Sequence, residues 1–500
     1  MKKISLIIII ALLILPGIYA QKIDDAFRNS QVFYYGTARF MGMGGAFTAL
    51  GGDLSSLSQN PAGLGIFRSS EVSVTPQLFH IKTSADFDGI SSDYLYDFNL
   101  SQAGIVANII NNNNSKGLIT LNLGYSFNKT NNLNQNVRIE GISSSSSLAD
   151  YWAANAKGSY HSGLIDLKDP SSYLAYETWI IDTLAGSNTE YGTVYSNYGD
   201  NPPSIYGQNI RRLVTHEGYT AEHAFSVGGN YSNKLYFGAT VGLSRLNYSR
   251  KYEHLETTDE NLPSNFTDFN YSDYFRNTGF GFSLKIGAIF KPIEPLRLGV
   301  AFHSPVFYKI DVYMNDNLTS SFSDGGNYEK SNGALRYNYA LTTPFRAMVG
   351  AAFQLKKLAL FSADYEFVDY GSARFSETGD DYDYSEKNLA IKDGLKQANN
   401  IRLGAEFRLS NIYLRGGYGY YGKAFWEGDN NEDLDYSSLS FGGGFREQNI
   451  IVDFAYTRLM NRQSYVLYQY ETNTQFITSV ADLNINRNIF TVTFGYKFGF

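Results

Sequence analysis

The 500-residue sequence contains no cysteine, and only 11 prolines and 6 methionines. Without a thiol there is no disulfide scaffold, no lipoprotein anchor and no thiol-based zinc or redox centre. After residue 20 no stretch approaches the ~20 consecutive apolar residues that a membrane-spanning helix requires. The net charge of −7 comes with no basic cluster, which excludes a nucleic-acid footprint. No Pro/Ser-rich linker or shift in composition divides the chain. His80, His161, His216, His223, His254 and His303 stand in no Ser/His or His-metal spacing, and no G-x-S-x-G elbow accompanies them, so neither an enzyme nor a cofactor is expected.

What the sequence has instead is glycine and aromatics: 47 Gly, 40 Tyr and 35 Phe. Lys2 and Lys3 precede an apolar run from Ile4 to Leu15, with Pro16, Gly17 and Ala20 behind it, the pattern of a secretory signal peptide over residues 1–20 that is cleaved on export. Beyond it the dominant signal is strict alternation. In "FTVTFGYKFGF", Phe490, Val492, Phe494, Tyr496, Phe498 and Phe500 face one way, and Thr491, Thr493, Gly495, Lys497 and Gly499 the other. The period of two recurs in "LYFGATVGLS", "FGFSLKIGAIF", "LRLGVAFH", "FRAMVGAAF", "IRLGAEFRL", "LSFGGGF" and "IVDFAY".

The less apolar face carries Lys285, Arg297, Arg346, Asp364, Glu366, Arg402, Glu406, Arg415 and Asp453 with glycines between them. A polar interior within an apolar exterior is the signature of a transmembrane β-barrel. Strands in lipid must be hydrogen-bonded on both edges, so the sheet has to close. Tight connections near 111–115, 232–234, 357, 410–411 and 448–449 alternate with polar stretches at 82–97, 251–272, 313–333, 372–393, 424–437 and 462–486, read as periplasmic turns and external loops. The count is about 14 antiparallel strands over residues 69–500. The apolar terminal strand with Phe498 and Phe500 has the form of the signal read by the outer-membrane assembly machinery.

Residues 21–68 show no sheet pattern. Their glycine-rich run "GTARFMGMGGAFTALGGDLSSLSQNPAGL" lacks the G-x-G-x-x-G spacing of a dinucleotide loop and has no preceding strand. Small residues such as Gly42, Gly45 and Ala46 suit short helices packed inside a lumen, that is, a mostly helical hatch. Asp53 is placed to cap a helix through Leu57, and Asn60 before Pro61 is expected to end it.

This run, with its Asn60-Pro61-Ala62 triplet, resembles the N-terminal hatch of the FadL-type long-chain fatty-acid transporters of Gram-negative outer membranes. The order of signal, hatch, barrel and terminal phenylalanine matches as well. The resemblance implies an all-β barrel in the outer membrane, in contact with lipid bilayer and lipopolysaccharide, that takes up fatty acids or similar hydrophobic molecules passively. It implies an apolar pocket, a hatch whose movement involves Gly42, Gly44, Gly45, Asn60, Pro61 and Ala62, and a lateral exit. The alternative is a non-transporting barrel subunit with protein partners in an outer-membrane secretion or assembly complex.

Three further expectations concern ligands. The insertion at 129–219 is the candidate capture surface, where "SSYLAYETWIIDTL" would place Tyr173, Tyr176, Ile180 and Leu184 on one helical face with Trp179 beside them. Arg297 and Arg346 are candidates to hold a carboxylate head group, with pairing to interior acids as the competing role. Asp429, Asn431, Asp433 and Asp435 have the alternate-residue oxygen spacing of a calcium loop, but Leu434 stands where such a loop wants glycine, and no metal is expected.

Overall fold

The computed structural model describes residues 23–112, 116–167, 169–195, 206–258, 265–379, 382–472 and 475–499. The expected signal peptide and Phe500 lie outside these residues. The chain forms a closed ring of 14 antiparallel strands. Each strand pairs with its sequence neighbours, and the ring closes where Ser70–Asp86 pairs with Phe476–Phe498, from Ser70↔Phe498 to Asp86↔Asp482. Closure removes the free edges that lipid would leave without hydrogen bonds.

Several wall strands are interrupted. Leu118–Asn132 resumes as Gln135–Ser143 after a bulge at Leu133–Asn134, both parts pairing with Gln208–Tyr231. Leu296–His303 resumes as Phe307–Phe322 past Pro305, and Leu335–Thr342 as Arg346–Leu355 past Pro344, because proline donates no ladder hydrogen bond. The turns at one end are tight, with left-handed φ at Ser232, Asn233, Lys356, Ser410 and Gln448. Ser70 and Phe498 lie at that same end.

The stretches expected as long external loops are largely strand. Residues 82–97 form a hairpin that turns in three residues between Asp86 and Ile90, and 462–486 is strand except around its turn. Phe266–Ile293 has 28 residues and Ile450–Glu471 has 22, whereas a tilted strand crosses a bilayer in about 9–11. The wall therefore continues well beyond the membrane.

The alternation inverts where it leaves the apolar belt, which is why those stretches read as loop. On the first strand Val72, Val74 and Leu78 face out while Ser73, Thr75 and Gln77 face in; higher up Lys82 and Asp86 face out while Phe79, Ile81 and Ala85 face in. On the last strand Phe490, Phe494 and Tyr496 face out below, and Asp482 and Asn484 face out above Leu483, Ile485 and Ile489, which are buried. The lower barrel is apolar outside and polar inside; the upper barrel is built the way a water-soluble protein is.

Candidate functional site

Residues 23–67 fill the ring. Four short helical pieces, Ile23–Ser30, Ala38–Gly42, Ser56–Gln59 and the 3-10 turn Pro61–Ile66, are linked by glycine-rich bends in which Gly44 and Gly45 take left-handed φ. Thr37 caps the second piece by accepting from Phe40 N, and its own hydroxyl donates to Asp53 at 2.8–2.9 Å. Asp53 also accepts from Ser55 N. The carboxylate thus clamps two parts of the segment together, where a helix cap was expected; no side-chain cap serves Ser56–Gln59.

Asn60 is extended and ends that helix. Its Nδ2 donates to Thr48 O at 2.6 Å and to Val300 O of the wall at 3.2 Å, while its Oδ1 accepts from Ala62 N and starts the next turn with Pro61 at its head. The triplet is therefore a joint between segment and wall. The wall meets it with glycine: a Cβ at Gly287 would overlap Asn60 Oδ1, one at Gly238 the Pro61 carbonyl, one at Gly299 the Thr48 carbonyl, and one at Gly417 the Gly44 amide. Gly42 packs against Gly442 in the same way. Backbone lies on backbone around much of the ring, which no larger side chain permits.

Buried charges fasten this fit. Glu406 accepts from Arg39 of the segment at 3.0 Å and from Arg415 at 2.9 Å, and Arg415 also reaches Asp453 at 2.7 Å. Glu366 pairs with Arg346 and with Arg402, the latter at 2.7 Å. Lys285 bridges Glu222 at 2.6 Å and Ser58 O at 2.9 Å. Arg346 donates in addition to Ser30 O, and Arg297 donates to Leu50 O at 2.9 Å. The two arginines expected to meet a ligand are thus engaged in holding residues 23–67. His303 links the same parts through Gln59 O and Tyr34 OH.

Above the segment, the excursion from the barrel covers 144–207, shorter than the expected 129–219 because the strand runs on to Ser143. Its helix Leu148–Ala156 starts with a capping box of Ser147 and Asp150, and Glu256 accepts from both Ser147 Oγ and Leu148 N. Trp152 is buried against Phe269 and Tyr271. Asp150 accepts from Tyr206 OH at 2.8 Å, and burial pushes its carboxyl up to about 6. The excursion caps the upper core.

The expected groove helix stops at Glu177. Trp179 has φ 60° and is 51% exposed, Ile180 beside it is fully buried, and Ile181–Thr183 pairs with Tyr191–Thr193, a hairpin that Leu184 N closes onto Glu190 O. Trp179, Ile180 and Leu184 therefore share no helical face. The β-branched run Ile180-Ile181 favours strand over helix once Thr178 hydrogen-bonds back to Leu174 O. In the acidic loop Asp429 accepts from Asn431 N, Asn431 from Ser464 N and Asp433 from Lys423. Among the described residues no three His, Cys, Asp or Glu side chains come together to hold a metal. Phe498 faces outward at the end of the last strand.

One side of the wall is not zipped. Ile90–Asn111 pairs with Leu118–Asn132 only from Gln102↔Asn128 downward. Above that point the third strand bends at Leu133–Asn134 and follows Gln208–Tyr231, and the edge of residues 90–101 has no ladder partner on that side among the described residues. Side chains bridge the seam: Asn132 donates to Asp97 at 2.8 Å, Ser91 to Arg138 O at 2.6 Å, and Ile142 N to Asp88 at 3.0 Å. Its lower end lies beside outward Phe98 and Leu100, in the apolar belt. Behind it Tyr34, Tyr35, Phe40, Ser55, Ser58 and residues 128–130 lie together with no room between them for a water molecule. The seam is not readable from one strand's sequence, since it depends on what the neighbouring strand does; the asparagine-rich stretch at 128–134 is the sole local sign.

No protein-family model matches the chain, and a comparison with curated proteins finds no match. Solved structures do match. The Pseudomonas putida toluene transporter TodX superposes with a TM-score of 0.52 at 13% identity, over 94% of this chain and all of that one. A Pseudomonas aeruginosa FadL homologue gives 0.53 at 12%, over 93% and 98%. The chain has the fold of the FadL-type transporters.

Proposed function

We propose that the protein is an outer-membrane channel for passive uptake of hydrophobic small molecules, long-chain fatty acids among them, which leave sideways into the bilayer. The observation that carries this reading is the unpaired edge of residues 90–101 beside the N-terminal segment, in a barrel whose axial path that segment fills. A polar solute would need an axial water path. An apolar one is driven toward lipid by about 0.8 kcal/mol per methylene transferred. Apolar and aromatic side chains fill much of the upper interior, and a movement of residues 38–66, the hatch of this reading, would join that interior to the seam. The fold shared with a toluene transporter supports a hydrophobic cargo.

The chain has no cysteine, which makes the seam directly addressable. Asp97→Cys with Asn132→Cys, joined by oxidation or a short thiol linker, is expected to lower fatty-acid uptake by cells severalfold, with recovery on reduction. Unchanged uptake through a fully cross-linked seam would remove the seam as the exit, and uptake that does not depend on the protein at all would turn the assignment toward a non-transporting subunit.

A further inference from the structure

The end of the barrel that carries the tight turns differs in charge from the molecule as a whole. The protein has a net charge of −7, yet this end is basic. Along the arc of the ring from Leu296–His303 to Phe476–Phe498 it bears Arg297, Lys356, Lys357, Arg408, Arg446 and Lys497. The acids at that level are Glu447 and, on the adjoining strand, Glu71. The other turns add Arg68, Lys116 and Lys234, and Lys291 pairs with Glu294 at 2.9 Å.

Just above the turns, four arginines share two carboxylates. Arg39, Arg408 and Arg415 meet Glu406, while Arg415 and Arg446 meet Asp453, the last pair at 3.8 Å. Arg446 Nε is buried with no hydrogen-bond partner among the described residues. Arg297 is held by the Leu50 carbonyl, and Lys497 stands 3.9 Å from Glu71. The Tyr413 ring spaces the guanidinium groups, with Arg446, Arg415 and Arg408 at 4.7, 5.6 and 5.8 Å from its centre.

Phe407, Phe445 and Phe498 face outward, so their neighbours Arg408, Arg446 and Lys497 lie on the lumen side of the wall. Those three side chains are 28%, 26% and 37% exposed. The N-terminal segment fills the lumen above them, and their exposure is therefore toward the open end. Bilayer lipid outside the wall does not reach that face, whereas a partner approaching along the barrel axis does. The basic positions also extend over several strands, more than one small anion can touch.

We propose that this arc is a docking face for an acidic segment of a periplasmic protein. The segment lays carboxylates on Arg297, Arg408, Arg446 and Lys497, and its flank on Lys356 and Lys357. Opposite charge of that extent steers the encounter and fixes the orientation of the partner. The assignment takes from the uptake reading only that the tight turns face the periplasm, and it holds for a transporter and for a complex subunit alike.

The test uses the full-length folded protein in nanodiscs of dioleoyl phosphatidylcholine. The probes are a fluorescent peptide of alternating Glu and Ala and its counterpart with Gln for Glu. The Glu peptide is expected to bind and the Gln peptide not, with affinity falling as salt is raised. Lys356→Gln with Lys357→Gln, and separately Arg446→Gln with Lys497→Gln, should each weaken binding about tenfold. Lys116→Gln with Lys234→Gln, on another part of the ring, should change it by less than about twofold. Unboiled gel mobility reports that every variant is a closed barrel. Equal losses from the arc and from Lys116 and Lys234 would reduce the effect to general attraction and overturn the docking face. Equal binding of the two peptides would overturn it as well. Enrichment of dioleoyl phosphatidylglycerol around the protein through the same side chains, without peptide binding, would assign the arc to lipid head groups instead. None of these outcomes bears on the seam, because the arc and residues 90–101 lie on different strands.

Discussion

The lower and upper halves of this barrel are made of the same strands and are held together by opposite means. At the level of the apolar belt the outside is Phe, Val and Leu, and the inside is a ring of glycines and ion pairs around the N-terminal segment. Above it Trp152, Phe266, Phe269, Leu483 and Ile485 belong to a packed apolar core while the outer face turns polar. Solvent accounts for the inversion. Lipid rewards apolar side chains outside and leaves the interior to polar contacts, whereas water rewards the reverse. The lower half is therefore fastened by directional contacts that fail one at a time, and the upper half by packing that loosens as a body.

The largest effect is expected from Gly287→Val. The new side chain overlaps the place of Asn60, and it should expel the N-terminal segment while the wall still closes. Proteolysis of residues 38–66 and entry of large antibiotics would both rise, with heat-modifiable gel mobility kept; a protected segment would show that the glycine seat is not needed. Glu406→Gln comes next. It leaves Arg39 and Arg415 buried beside a neutral partner, and loss of one member of such a pair typically costs about 3–5 kcal/mol. Amide exchange should quicken in residues 38–66 and stay unchanged in residues 144–167.

Trp152→Ala sharpens the contrast from the other side. A buried tryptophan truncated to alanine costs about 3–5 kcal/mol, part of which the excursion can recover by collapse. Exchange should rise in 144–167 and not in 38–66; a joint response of both regions would mean that the two halves open together.

The smallest effect is a pH dependence of the upper half. The Asp150 carboxyl is raised to about 6 when docked, so the docked state holds its proton more tightly than the undocked one. Docking is strongest below the ordinary carboxylate value and weakens as pH rises through about 6, by at most about tenfold per pH unit for a single proton. Proteolysis of the excursion at pH 5 and pH 7.5 measures it, and Asp150→Asn should flatten the difference.

Much of the lower half was legible beforehand. Phe490 to Phe498, and Leu298, Val300 and Phe302, display their outward face in the chain itself, because successive side chains of a strand must point to opposite sides whatever surrounds them. Asn60 before Pro61 likewise marked the end of a helix from local geometry alone. The upper half misled, since Lys82, Asn484 and Asn486 look like loop residues when they face water across a wall whose inner side is Ile81 and Ile485.

The sequence by itself determined the period, the closure that lipid demands of it and the absence of a thiol or a spanning helix, all of which follow from covalent geometry and composition. Only the tertiary structure decided that Arg346 and Arg297 hold the N-terminal segment, that Trp179 and Ile180 part company at a turn, and that the edge of residues 90–101 is bridged by side chains and not by a ladder. Those facts depend on which residue a distant strand places opposite. Glu366 and Ser30 reach Arg346 from 20 and 316 residues away, and the seam exists because two adjacent strands stop pairing. A charge or a hydrogen-bonding edge acquires its role from its partner, and no window of a single chain contains both.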